Sequence, residues 1–349
     1  MIKTAGAAKA NLDWPNLAFG YTRTDFNIRY ICRDGVWSEG VLTAEETLPL
    51  HIAATCLHYG QECFEGLKAF ERKDGEVVVF RPDENALRMR RTAERILLAQ
   101  PPVEMFLEGV YRVLDANRRF IPPYGTGAAM YIRPLLIGAG SEIGVKPARE
   151  YYFVVFVMPV GPYFKSGFKP VDMYVEERCD RAAPLGVGDV KVGGNYAAAL
   201  RASTQAKQAG YADALFLDAK EKKYIEESAP ANFFGITADK RYVTPASQTI
   251  LPSITNKSLV TLAEEMGLRP ERRQIPIEEI FALKEAGCCG TAAVITPIGS
   301  ITLGNRKAVY CPDGKAGPHT TALYNRLRAI QVGDEPDTHD WLHVVPRAR

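Results

Sequence analysis

Long apolar runs are absent from this chain. The longest, YYFVVFVMPV from Tyr151, is about half of what a membrane-spanning helix needs, and it suits a buried strand. Charge of one sign is lacking too: 43 basic residues against 41 acidic ones leave +2. That balance gives no electrostatic footprint for nucleic acid or an anionic membrane, so the expected partner is a small molecule or a second copy of the chain. Cysteines number seven, an odd count with no C-x-x-C, which argues against a disulfide framework and for a reducing cytoplasm. The N-terminal stretch MIKTAGAAKANLDW has no apolar core of the kind a signal peptide carries. Repeats, low-complexity tracts, a P-loop and a nucleophile elbow are missing. HDWLH, from His339, has Asp where a zinc-protease helix needs Glu, and His51, His58 and His319 offer no evident third ligand; no metal is expected.

What is present is a chain of 349 residues, 46% hydrophobic and 24% charged, enough for two cores. EVVVF reads as a strand ending at Arg81, and Pro82 and Asp83 open a helix through 99. A second helix runs from 103 to about 117, with Phe106, Leu107, Val110, Val113 and Leu114 apolar. AAMYIRPLLIG and residues 151–160 are strands, and GPYFKSGFKP breaks both periodicities as a linker. Beyond it come a strand at VDMYVEE, a helix over 197–209 and the short strands ADALFLD, YIEES, NFFGIT and RYVTP. Thr255 caps a helix carrying Leu259, Leu262, Ala263 and Met266, Pro276 opens another, GTAAVITPIG returns to strand, and a last helix covers 320–330. Mixed short strands with helices outside predict two α/β or α+β domains: 1–160, a linker over 161–171, and a larger domain over 172–349 that carries Lys191. The linker between them is a natural place for a cleft.

The chemistry centres on KVGGNYAAAL, from Lys191. A lysine beside Gly-Gly is ordinarily a surface residue in a turn. The alternative is a Schiff-base lysine, which needs a partly buried, easily deprotonated amine on a backbone that a flat cofactor can approach. Gly193 and Gly194 supply the approach and Tyr196 a phenol for the cofactor's ring oxygen. Pyridoxal phosphate also needs a carboxylate at its ring nitrogen and a phosphate cradle. YIEES offers Glu226 and Glu227, which a strand points to opposite faces, one solvated and one facing a site. ILPSITNKSL offers small Ser253 and the free first-turn N–H groups of Ile254 and Thr255, and GTAA at Gly290 adds a second small-residue turn. Arg81, at a strand end, can grip a phosphate bidentately.

These segments come in one order: LAFG at Leu17, LHYGQECFEGLKAF at Leu57, VFRP at Val79, YIRPLLIG at Tyr131, KVGGNYAAAL, EESAPANFFGIT at Glu226, ILPSIT at Ile250 and GTAAVITP at Gly290. In that order the chain resembles the branched-chain amino-acid aminotransferases, class IV enzymes of pyridoxal-phosphate fold type IV, the D-amino-acid aminotransferase-like fold. The resemblance implies two domains with the cofactor cleft at their interface, and a homodimer. It implies that Lys191 forms the Schiff base and shuttles the α proton. Tyr196 would bind the phenolic oxygen, Glu227 rather than Glu226 the ring nitrogen, and Arg81, Ile254, Thr255 and Thr291 the phosphate. Thr291 and Ala292 would present N–H groups to the substrate carboxylate.

The implied side-chain pocket is Phe19, Phe64, Tyr131, Tyr163 and Tyr196, with Tyr59 and Val145 reaching in from the partner subunit. Arg133 and the Tyr131 hydroxyl would receive the far carboxylate of glutamate. The Y-x-R-P stretch favours this branch over D-amino-acid aminotransferases and aminodeoxychorismate lyases of the same fold. A noncatalytic relative is disfavoured by the intact set of Lys191, Tyr196, Glu227 and Arg81. The chain departs from the family pattern at Pro230, at Ser253 and at Asn256, and Ala293 and Thr296 replace the redox C-x-x-C of some animal members.

Overall fold

The computed structural model describes residues 8–162 and 167–347. It divides into two compact units, the first holding Met1–Tyr163, Lys191–Gly193 and Ile330–Arg349, the second Phe164–Val190 and Gly194–Ala329. The sequence division therefore differs from the observed one in two places. Lys191–Gly193 falls with the N-terminal half, because the Phe64 N–H donates to the Lys191 carbonyl at 3.2 Å and the Lys191 N–H to Thr92 Oγ1 at 3.2 Å. The last residues join the same unit through the strand Leu342–Val344.

Unit 1 begins with β1 (Asn27–Arg33), β2 (Val36–Trp37), β3 (Val41–Thr43) and the short helix α1 (Thr55–Tyr59). After these come β4 (Glu62–Phe64), β5 (Leu67–Glu71), β6 (Val77–Phe80), α2 (Pro82–Arg95), α3 (Val103–Ala116), β7 (Ala129–Ala139) and β8 (Glu150–Val160). The sheet order is Leu342–Val344, β6, β5, β7, β8, β1, β2, with β3 on β1 and β4 on β7; all pairs are antiparallel. α3 turns Phe106, Val110, Val113 and Leu114 inward, and Phe106 stacks on Phe153 of β8 at 5.9 Å. Full burial of one such phenylalanine stabilises the fold by about 1.5–3 kcal/mol.

α2 starts at Pro82 as expected but stops at Arg95, not 99. Leu97 adopts a left-handed φ of 55°, and the Leu98 N–H closes back on the Ala93 carbonyl at 2.8 Å. Glycine usually makes this closure, so the residues here carry no recognisable stop signal. The HDWLH histidines have structural partners: His339 stacks on Trp341 at 4.3 Å and His343 Nδ1 meets Tyr111 Oη at 3.0 Å.

Unit 2 contains β9 (Val171–Glu176), α4 (Gly193–Gln208), β10 (Asp213–Leu217), β11 (Ile225–Ser228), β12 (Asn232–Ile236), β13 (Arg241–Pro245) and α5 (Ile254–Glu265). It continues with β14 (Arg269–Arg273), β15 (Glu285–Gly290), β16 (Val294–Leu303), β17 (Arg306–Val309) and α6 (Pro318–Val332). Its sheet runs β11-β10-β9-β16-β15-β12-β13-β14, and β11 also pairs with β12, so the strands from β11 round to β12 close into a ring. The parallel pairs β9–β10 and β13–β14 have α4 and α5 as their crossovers. Ala199, Ala202 and Ala206 let α4 pack closely on Ala214 and Phe216.

Several boundaries are corrected. α4 begins at Gly193, not 197, with Asn195 Nδ2 donating to the Val187 and Val190 carbonyls. α5 is capped by Ser253, whose Oγ accepts the Asn256 N–H at 3.1 Å, and not by Thr255. Pro276 opens only a five-residue 3-10 turn, Ile277–Phe281. Among the described residues no helix is long and apolar enough to cross a membrane.

Candidate active site

In unit 1 the site grows from a gap in the sheet. β5 pairs with Met130–Ile132 of β7 and β4 with Leu135–Ile137, which leaves Arg133 and Pro134 opposite the break. Pro134 has no N–H to pair, and its carbonyl takes the Glu65 N–H at 2.8 Å. Phe64, Glu65 and Gly66 line the break from the other side. Lys191–Gly193 runs against it: Phe64 N–H holds the Lys191 carbonyl, and the Glu62 carboxylate accepts the Gly193 N–H. A Cβ at Gly193 would lie 2.4 Å from Glu62 Oε1 and would displace that carboxylate from the Gly193 N–H, whereas Gly194 meets nothing within 4 Å.

The Lys191 amine lies 4.9 Å from the Phe64 ring centroid. Burial and the Arg88 guanidinium bring its pKa down from 10.5 to about 8, against the opposing pull of Glu65 and Tyr131. Beneath it, Glu65 is fully buried. Arg88 Nε and Nη2 grip its two oxygens at 2.8 and 2.7 Å, and Asn85 Nδ2 adds a third bond at 2.7 Å. Burial works against ionisation of Glu65, but Arg88 overcomes it and holds the pKa below the ordinary carboxylate value. Glu62 goes the other way: burial raises its pKa.

Tyr131 and Arg133, two apart on β7, share a face. Arg133 Nη2 donates to Tyr131 Oη at 2.9 Å, and its guanidinium stacks 4.6 Å from the Phe64 centroid. The Arg133 Nε is buried without a hydrogen-bond partner among the described residues. Phe19 meets Tyr131 edge to face at 5.1 Å. The structure thus brings together Phe19, Phe64, Tyr131, Arg133 and Lys191. Arg81 sits at the N-terminus of α2 with φ 47°; its guanidinium pairs with Glu84 at 3.2 Å and lies over Trp341. Tyr59 and Val145 are a separate, exposed pair: Tyr59 Oη accepts the Gly144 N–H at 3.0 Å, and Val145 is 91% exposed. Tyr163 lies outside the described residues.

In unit 2, Glu227 stands at the β11–β12 closure, paired with Asn232. It accepts from Asn232 Nδ2 at 2.6 Å, Leu251 N–H at 3.2 Å and Arg181 Nη2 at 2.9 Å. Burial raises its pKa, and Arg181 works against the rise. Glu226 does point the other way, but it is not solvated. It is buried and receives the hydroxyls of Ser247 and Thr249. The expectation of one solvated glutamate fails because both faces of this strand are covered. Ile254 and Thr255 occupy the first turn of α5, where N–H groups have no intrahelical acceptor. Thr291 and Ala292 form the turn between β15 and β16. Val294, the first residue of β16, holds a φ of 66°, a strained value for a β-branched side chain. Tyr196 is half-buried on α4.

A class IV amino-transferase family model matches residues 62–301. The chain belongs to this family, among the branched-chain-amino-acid aminotransferases. A Haemophilus influenzae protein of that name is 47% identical over 341 residues, spanning 96% of this chain and 99% of its own. The Escherichia coli branched-chain amino acid aminotransferase structure superposes with a TM-score of 0.78 at 26% identity, over 93% of this chain and 100% of its own. A branched-chain amino acid aminotransferase from Thermobaculum terrenum, solved in its PLP-bound holo-form, matches in fold, with a TM-score of 0.75 at 23% identity over 93% and 100%. The fold is therefore the two-unit, type IV architecture.

Sequence reasoning missed Glu65, Asn85, Arg88, Thr92, Arg181 and Asn232. Asn85, Arg88 and Thr92 recur at i, i+3 and i+7 and are buried on α2, a polar row on a buried helix face. That spacing was readable along the chain.

Proposed function

We infer that the protein is a pyridoxal-phosphate-dependent transaminase, which moves the amino group between branched-chain L-amino acids and 2-oxoglutarate. The observation that carries the residue assignment is Lys191, a lysine whose pKa falls to about 8 beside an aromatic ring and an ionised Glu65–Arg88 pair. At pH 7.5 about a quarter of such amines are neutral, against about one in a thousand for an ordinary lysine. A neutral amine can both attack a carbonyl carbon and accept a proton.

The donor set fits the cofactor. Lys191 would hold its carbonyl carbon, Glu227 its ring nitrogen and Tyr196 its phenolic oxygen. Arg81, Ile254, Thr255 and Thr291 would hold its phosphate. When bound, pyridoxal phosphate supplies an electron sink for the bond broken at the substrate's α carbon. Lys191 takes the proton from that carbon and returns it in the next step. Glu227, held by Arg181 and Asn232, keeps negative charge at the ring nitrogen.

Thr291 and Ala292 bind the substrate carboxylate through backbone N–H groups. Phe19, Phe64 and Tyr131 exclude water from the side chain. Arg133, whose Nε has no hydrogen-bond partner among the described residues and whose Nη2 is linked to the Tyr131 hydroxyl, receives the second carboxylate of glutamate.

We also propose a homodimer. Unit 1 exposes Ile52, Leu57 and Tyr59, and the Tyr59 hydroxyl accepts the N–H of Gly144, which lies between exposed Ile143 and Val145, so these apolar groups gather where a second copy of the chain would cover them. Tyr59 and Val145 would then serve the partner's substrate pocket. The cysteines are free thiols, which fits a reducing cytoplasm.

The test is a visible absorbance spectrum of the cofactor-loaded protein, before and after adding L-leucine without an oxo acid. Conversion of the pyridoxal band to the pyridoxamine band is expected. A band that L-leucine leaves unmoved but D-alanine converts would overturn the substrate assignment.

A further inference from the structure

The face of α2 that holds Glu65 also reaches Lys191. The Thr92 hydroxyl donates to the Arg88 carbonyl one turn back, at 3.0 Å, and accepts the Lys191 N–H at 3.2 Å. Thr92 is buried. Its single proton is committed to Arg88, so its lone pairs face Lys191 in a fixed direction. The same Arg88 grips Glu65, and Glu65 follows Phe64, whose N–H holds the Lys191 carbonyl and whose ring lies under the amine. Both peptide groups of Lys191 are therefore tied to one rigid patch.

We propose that Thr92 is a positioning residue for Lys191: its hydroxyl pins the lysine's backbone so that the amine stays against Phe64 and the Arg88–Glu65 pair. The charged and titratable groups that act on this amine are Arg88 of α2, Glu65 beside β4, and Tyr131 and Arg133 of β7. The role rests on Lys191 being the lysine that the reaction uses, but the hydrogen bond can be tested without the cofactor.

Thr92→Val keeps the shape and removes the hydroxyl; Thr92→Ser keeps the hydroxyl. In the cofactor-free protein, the rate of Lys191 acetylation by acetic anhydride is followed against pH by peptide mass spectrometry. The wild type should show a midpoint near 8. Thr92→Val should move the midpoint towards about 10.4, the value for a solvated lysine, and Thr92→Ser should restore it. In the loaded enzyme, Thr92→Val should lower kcat for leucine about tenfold or more with little change in KM, since a small misplacement of a reacting group costs rate rather than binding.

A folded Thr92→Val protein that labels and turns over as the wild type does would overturn the proposal. So would Thr92→Ser behaving like Thr92→Val, because then volume and not the hydroxyl matters. A labelling shift in Thr92→Val without any leucine turnover by the wild type would uphold the pin while refuting the transaminase reading.

Discussion

Replacing Lys191 by methionine should stabilise the cofactor-free protein, and the gain should depend on pH. Lysine and methionine have similar unbranched stems, so the change removes mainly the ammonium. Unfolded, that group keeps its proton to about pH 10.4. Folded, burial and Arg88 make it release the proton near 8. Between those values the unfolded chain binds more protons at this site, so wild-type stability rises with pH across the window. Below 8 the penalty is fully present; above 10.4 it has gone. A shift from 10.5 to about 8 corresponds to at most about 3 kcal/mol. Screening at a half-buried side chain brings this to about 2 kcal/mol. Urea unfolding of the wild type and Lys191→Met at pH 7, 8, 9 and 10 reads it directly. The substituted protein should be the more stable by about 2 kcal/mol at pH 7, with the margin closing by pH 10. A margin that stays constant with pH would sink this account, because it would come from packing and not from the proton.

Glu65→Gln should lower stability by about 3–5 kcal/mol in the same assay, because it leaves the Arg88 guanidinium buried opposite a neutral amide; a loss below 1 kcal/mol would mean that water reaches the pair. Gly66→Ala places a Cβ 2.2 Å from Tyr131 Oη and should push that hydroxyl off Arg133. Steady-state kinetics should then show KM for 2-oxoglutarate rising about tenfold, and more than for the oxo acid of leucine; equal rises would separate Arg133 from the acidic substrate. Glu227→Gln should slow the leucine half-reaction on the order of a hundredfold by stopped-flow absorbance, and an unchanged rate would remove Glu227 from the ring nitrogen.

Local signals were legible where one residue type forces one geometry. Pro82 started α2, and the small Ser253 marked the entrance to α5. They failed where tertiary contacts took over. Leu97 ends α2 in a left-handed conformation that its own side chain disfavours. Period-two alternation correctly put Glu226 and Glu227 on opposite faces, but alternation says nothing about what covers a face. Ser247 and Thr249 cover one, and Arg181 and Asn232 the other.

Each residue type that the chemistry needs is written in a short local motif of its own. The motifs are a lysine beside Gly-Gly, a glutamate on a short strand, small residues before a helix, and an aromatic set with one arginine. Folding alone brings Lys191 into the N-terminal unit, across a break in its sheet. There Glu65, Arg88 and Thr92, about a hundred positions or more away along the chain, surround the amine or hold its backbone, and burial with Arg88 lowers its pKa. Desolvation and Coulomb interaction depend on distance in space, and the order of residues does not contain that distance.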